Sequence, residues 1–90
     1  MTPSYTKRFE KDVKLVQKRG KNLKKLKNII EKLVNELPLE NKHKDHKLIG
    51  NYQGRRECHI EPDWLLIYKI IPEENIIIFE RTGSHSDLFT

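Results

Sequence analysis

The sequence predicts an α+β domain: an N-terminal helix hairpin lying on a three- or four-stranded antiparallel sheet, two layers in all. Three observations predict it. Apolar residues up to Leu37 recur at helical spacing, and from Arg55 onward the period drops to two. Between the runs stand Gly20, Pro38, Pro62 and Pro72, residues that end one element and release the next.

Thr6 is placed to cap a first helix reaching about Arg19, with Phe9, Val13 and Val16 on its apolar side and Gly20 at its left-handed end. Asn22 caps a second helix expected over Leu23–Leu37, whose seam is Leu23, Leu26, Ile30, Leu33 and Leu37; Pro38 stops it. The short link around Gly20 makes the two helices neighbours. Residues 39–54 are polar and read as a loop, with one short strand expected over Lys47–Ile49. In the strand from Arg55 to Ile60, Arg56, Cys58 and Ile60 share one face, and Arg55, Glu57 and His59 the other. Glu61-Pro62-Asp63 is a turn. Trp64–Ile71 is apolar on both faces, as a central strand is, and Asn75–Arg81 follows a turn at residues 72–75. Pro3–Tyr5 offers an additional edge strand, and Ser84 with Asp87 forms a capping box for one last helical turn.

Composition narrows the function. Ninety residues provide one modest core, hence an open surface site and a single domain over 1–90. One cysteine excludes a disulfide scaffold, and the longest apolar runs fall far short of the ~20 residues of a membrane span. The first residues carry no apolar signal segment, so the chain reads as soluble and cytoplasmic. Residues 1–56 hold 16 basic and 6 acidic side chains, a net of +10, whereas residues 57–90 hold 2 and 7, a net of −5. Lys7, Lys11, Lys14 and Lys18 form one stripe of the first helix, and Lys21 and Lys25 begin the next cluster. Such lysines either solvate the outer faces of two amphipathic helices or contact a polyanion through its phosphates.

The residues suited to chemistry are histidines. Glycine-rich phosphate loops, paired cysteines and the H-E-x-x-H and G-x-S-x-G signatures are all missing. Four histidines remain, and imidazole exchanges protons near neutral pH with little tuning. His59 points away from the core that Cys58 and Ile60 mark; Asp63, just past the turn, is within reach of it; His46 lies in the loop before Gly50; and His85 follows Arg81 at a strand end. His43 and His46, three apart, offer a rival zinc site, but the ligand set lacks compact paired spacing, so no metal is expected. Cys58 is expected to pack and not to react. Trp64 either opens a core strand or presents a ring, and Phe89 either docks on the sheet or stacks on a base.

Three segments make the sequence recognisable: Lys44–Gly50, Arg56–Tyr68 and Arg81–Phe89. In this order they resemble the YafQ branch of the RelE/ParE superfamily of toxins from type II toxin–antitoxin modules, and with the preceding helix pair the resemblance covers nearly the whole chain. It implies a RelE-like fold and a ribosome-dependent endoribonuclease that cuts messenger RNA in the A site without a cofactor. The family's catalytic positions fall on His46, on the His59 and Asp63 pair, and on His85; its strand-end arginine falls on Arg81, assigned to phosphate charge, and its terminal aromatic on Phe89. Trp64, Phe89 and the lysines at 7, 11, 14, 18, 21 and 25 are then expected to contact RNA. A DinJ-like antitoxin, the ribosome and mRNA are the implied partners. The sequence departs from RelE proper, whose site uses lysine, arginine and tyrosine. The alternatives are a non-hydrolytic ParE-like toxin and a basic RNA-binding module of the same fold.

Overall fold

A computed structural model describes residues 1–50 and 54–89. In chain order the elements are β1 (Thr2–Tyr5), α1 (Lys7–Lys18), α2 (Leu23–Val34), β2 (His46–Lys47), β3 (Arg56–Glu61), β4 (Trp64–Ile71), β5 (Ile76–Gly83) and α3 (His85–Phe89). Short 3-10 turns occupy Asn41–His43 and Pro72–Glu74. Of the loop expected over residues 39–54, residues 51–53 lie outside the described ones.

Both long helices begin and end by satisfying their own unpaired backbone groups. Thr6 Oγ1 accepts from the Phe9 N–H at 2.9 Å and donates to the Glu80 carbonyl at 2.9 Å, so one hydroxyl caps α1 and ties it to β5. The Gly20 N–H bonds the Gln17 carbonyl, and its φ of +85° turns the chain so that the Lys21 N–H reaches the Val16 carbonyl. Asn22 caps α2 through the Lys24 N–H. The second helix stops at Val34, three residues short of the expected Leu37. Glu36 turns left-handed (φ 57°), and the Leu37 N–H bonds back to the Lys32 carbonyl at 2.8 Å. The residue before a proline avoids the helical region, so Pro38 acts one turn upstream of itself, and Leu37 leaves the seam 54% exposed. Leu26 and Ile29 are the deeply buried residues of α2, and Ile30 is only partly buried.

Among the described residues the sheet has five strands, in the order β1-β5-β4-β3-β2. It is mixed, a correction to the all-antiparallel sheet expected: β1 runs parallel to β5, and the other pairs are antiparallel. The edge strand β2 is His46–Lys47, not Lys47–Ile49, and Ile49 is 88% exposed. The central β4 is buried on both faces. Trp64, Leu66 and Tyr68 join Cys58 and Ile60 of β3 against Phe9 and Val16 of α1 and Leu26 and Ile29 of α2. Leu65 and Ile67 point the other way, where Leu88 of α3 covers them and Leu48 packs beside. Cys58 is fully buried, and burial pushes its thiol up, away from the reactive thiolate. Among the described residues no helix is long and apolar enough to cross a membrane.

Candidate active site

The face of the sheet opposite α1 and α2 carries His46, His59 and His85. Strand alternation puts His59 on the reverse side of β3 from Cys58 and Ile60. Its Nδ1 donates to the Pro62 carbonyl at 3.2 Å, and its Nε2 lies 3.3 Å from the carboxylate of Glu57, two residues back on the same strand face. Glu57 is 4% exposed. Sequence reasoning placed it beside His59 without assigning it a part; the signal available was a carboxylate two residues from a histidine on an otherwise buried strand.

His85 opens α3, and the geometry of that short helix is fixed at three points. Ser84 and Asp87 cap it reciprocally, Ser84 N–H to Asp87 Oδ2 at 2.9 Å and Asp87 N–H to Ser84 Oγ at 3.2 Å. Asp87 also receives both Nη atoms of Arg19, at 2.6 and 3.1 Å. Leu88 is buried beneath. Gly83 must stay glycine here, because a Cβ at that position would stand 2.9 Å from Asp87 Oδ2. So held, His85 presents its backbone N–H and its Nδ1 to one oxygen of Asp63, at 3.0 and 3.1 Å. Asp63 therefore orients His85, a correction to its expected pairing with His59, whose Nδ1 turns to Pro62 instead. The backbone N–H of His85 first, and its ring second, hold the Asp63 carboxyl below its usual range.

His46 is held from its own loop. Its Nδ1 donates to the Lys44 carbonyl at 2.6 Å. The neighbouring Asp45 is anchored by the Tyr68 hydroxyl at 2.5 Å and Arg56 Nε at 3.3 Å. Both His46 and His85 thus keep Nε2 without a hydrogen-bond partner among the described residues. The rings form a row, His46 to His59 at 6.5 Å, His59 to His85 at 5.9 Å and His85 to Phe89 at 5.9 Å between centroids. The row lies at the surface: His46, Asp63, His85 and Phe89 are all exposed.

Other expected site residues lie elsewhere. Trp64 is 1% exposed, and its Nε1 donates to Thr82 Oγ1 at 3.0 Å, so its ring belongs to the core and offers no face to a base. Arg81, expected to meet phosphate charge, pairs with Asp12 of α1 through Nε at 2.7 Å and Nη2 at 3.3 Å and so joins helix and sheet. Lys21 and Lys25 both reach Glu61, at 2.9 and 2.8 Å, and fasten α2 to the β3–β4 turn. Lys7, Lys11, Lys14 and Lys18 are exposed on α1, opposite Phe9 and Val16 and hence on the side of the domain away from the histidine row. His43, considered as a zinc ligand with His46, instead turns its Nδ1 to the His59 carbonyl. Among the described residues no group of three or more His, Cys, Asp or Glu side chains is placed to hold a metal ion.

The carboxylates around α3 set an acid limit. Arg19, then the Ser84 N–H, hold Asp87 far below its ordinary range; Lys25, then Lys21, lower Glu61. A carboxyl that binds its proton more weakly folded than unfolded stabilises fully above its unfolded value of about 4, and that contribution drains as pH falls further. Thermal melts from about pH 6 to about pH 2 are expected to show the loss beginning near pH 4 and steepening below it. Asp87→Asn should flatten that slope; an unchanged slope would remove the Arg19–Asp87 pair as its source.

Comparison with known proteins agrees with this architecture. All of residues 1–90 match the family model described as the bacterial toxin of type II toxin-antitoxin system, YafQ. The chain is 49% identical over 86 residues to the mRNA interferase toxin YafQ of Escherichia coli strain K12, covering 94% of this chain and 91% of that one. It superposes on YafQ in the crystal structure of the E. coli DinJ-YafQ complex with a TM-score of 0.89 at 47% identity, over 98% of this chain and 97% of that one. The metal-bound toxin from Helicobacter pylori gives a TM-score of 0.93 at 45% identity, over 99% of both chains.

Proposed function

The chain belongs to the YafQ family of bacterial toxins of type II toxin–antitoxin systems, and from that premise we propose that residues 1–90 form one toxin domain, an mRNA interferase that cuts ribosome-bound messenger RNA by acid–base chemistry on the histidine row. The observation that carries the reading is the row itself, with His46 and His85, whose Nε2 atoms have no hydrogen-bond partner among the described residues, on either side of His59.

RNA brings its own nucleophile. One imidazole takes the proton of a 2′-OH, the 2′-oxygen attacks the adjacent phosphorus, and the P–O5′ bond breaks as a second imidazole gives a proton to the leaving oxygen. The products are a 2′,3′-cyclic phosphate and a 5′-OH. His46 and His85 are the groups for these two transfers, each with Nδ1 fixed on an oxygen that sets its ring and tautomer. His59 joins them by exchanging one of its contacts to Pro62 or Glu57. Asp63 positions His85, and Phe89, 40% exposed beside it, offers a ring for a base. Arg81 serves through Asp12, by seating α1 on β5 next to the start of α3.

Two features favour the ribosome over free RNA as the setting. Attack by the 2′-oxygen needs the strand held in line, and beside a row of exposed side chains a second body, the ribosome, can hold it so. The lysines of α1 face away from the row and supply a second surface for phosphates, suited to ribosomal RNA while mRNA lies on the other side. The ribosome places this action in the cytoplasm. Its inhibitor is a DinJ-like antitoxin, as in the E. coli complex.

The test is cleavage-end mapping on mRNA held by programmed ribosomes, with toxin treated with EDTA beforehand and ribosomal magnesium kept intact. Cuts inside the A-site codon, undiminished by chelation, are expected. Since the H. pylori relative is metal-bound, loss of cutting on stripping would assign a metal to the chemistry. Absence of cuts at every codon would overturn the nuclease and leave a non-hydrolytic toxin.

A further inference from the structure

His43 is buried to 9% exposure at the end of the Asn41–His43 turn, outside the row of rings, in a pocket it shares with Ile29 of α2 and Ile60 of β3. The polar contact described for its side chain is to the site. Nδ1 stands 2.7 Å from the carbonyl oxygen of His59, and since a carbonyl only accepts, the imidazole donates. The bond falls where β3 is irregular, for its register against β4 shifts between His59 and Glu61. His59 itself stays opposite Leu65, and the bond from His43 ties its carbonyl at the point where the regular ladder ends.

The same turn continues directly into His46. Lys44, the next residue, is left-handed (φ 45°), a conformation that a lysine adopts only when its surroundings impose it. Its N–H is bonded to Asn41, and its carbonyl receives the Nδ1 hydrogen of His46 at 2.6 Å. Two ring positions therefore hang on one short turn, which His43 fastens to β3. We propose that His43 is a positioning residue of the cutting site, its Nδ1–H bond to the His59 carbonyl fixing where the rings of His59 and His46 stand relative to each other.

This rests on the nuclease reading, and the experiment separates the two. His43→Leu removes the donor and keeps the bulk, whereas His43→Asn places an amide N–H where Nδ1 stood. On programmed ribosomes His43→Leu is expected to lower kcat by about 10- to 100-fold with KM for the ribosome complex unchanged, since ångström-scale misplacement of reacting groups costs that much. His43→Asn should recover most of the loss. If both variants lose activity only in proportion to their unfolded fraction, or if His43→Leu cuts at the wild-type rate, His43 merely packs. Ring-carbon NMR signals of His46 and His59 report their placement whether or not RNA is cut. They should shift or double in His43→Leu and match wild type in His43→Asn; unchanged signals in both variants overturn the proposal. A wild-type protein that cuts nothing would refute the nuclease reading, and the ring signals would still decide whether His43 places the rings.

Discussion

His85→Ala is expected to abolish most cutting of ribosome-bound mRNA, a fall of about 100- to 10,000-fold, the range for removal of a proton-transfer group. The folded protein should be little disturbed. The side chain of His85 is 57% exposed, and α3 is seated by the Ser84–Asp87 cap, the Arg19 pair and Leu88, none of which passes through the imidazole. Ribosome association should also persist, because the exposed lysines of α1 lie on the other side of the domain. Asp63→Asn keeps the size of the orienting group but replaces the charge that holds His85 Nδ1 and N–H, and a smaller loss of about tenfold is expected from a loosened ring. The measurement is single-turnover cleavage beside a binding assay and a melting curve. Cutting by His85→Ala at a tenth of the wild-type rate or more would remove His85 from proton transfer.

Much of this arrangement was legible in the sequence where the causes are local. Thr6, Asn22 and the Ser84–Asp87 pair cap the helices they were expected to cap, since a cap needs only a short polar side chain a few residues from the N–H it satisfies. The alternation across β3 sends Cys58 inward and His59 outward for the same reason. What escaped depends on residues far apart in the chain. The parallel β1–β5 pairing joins Thr2 to Ile76, and Arg81 finds Asp12 across 69 positions. Asp63 is four residues from His59 and 22 from His85, yet α3 brings the more distant histidine to it. The second helix illustrates competition between local rules: the apolar seam runs on to Leu37, but Pro38 forbids helical backbone just before it, and the backbone constraint prevails over the period. His43 and His46 have the spacing of a ligand pair, but the left-handed Lys44 between them turns the two rings to different tasks.

Trp64 and Phe89 were both candidates to stack on RNA, and substitution of each should now give opposite results. Trp64→Ala empties the largest fully buried side chain, removing the donor to Thr82 Oγ1 along with the ring, and should cost about 3–5 kcal/mol. Against a total stability of about 5–15 kcal/mol, that leaves a marginal protein. Trp64→Phe retains most of the packing of the β3–β4 turn and forfeits chiefly the indole N–H. It should cost about 1–3 kcal/mol, because Thr82 Oγ1 still donates to the Leu65 carbonyl at 2.7 Å but loses the hydrogen it accepts. Guanidinium melts measure both. The Trp64→Phe protein, assayed where it remains folded, should bind and cut as wild type does. Phe89→Ala should do the reverse, sparing the melt while weakening the mRNA complex by about 1–3 kcal/mol, the worth of one base on one ring. A Trp64→Phe protein of full stability that fails on RNA would return the indole to the binding surface, and the burial of Trp64 beneath Lys21, whose Nζ stands 5.9 Å from its ring, is the reason to expect otherwise.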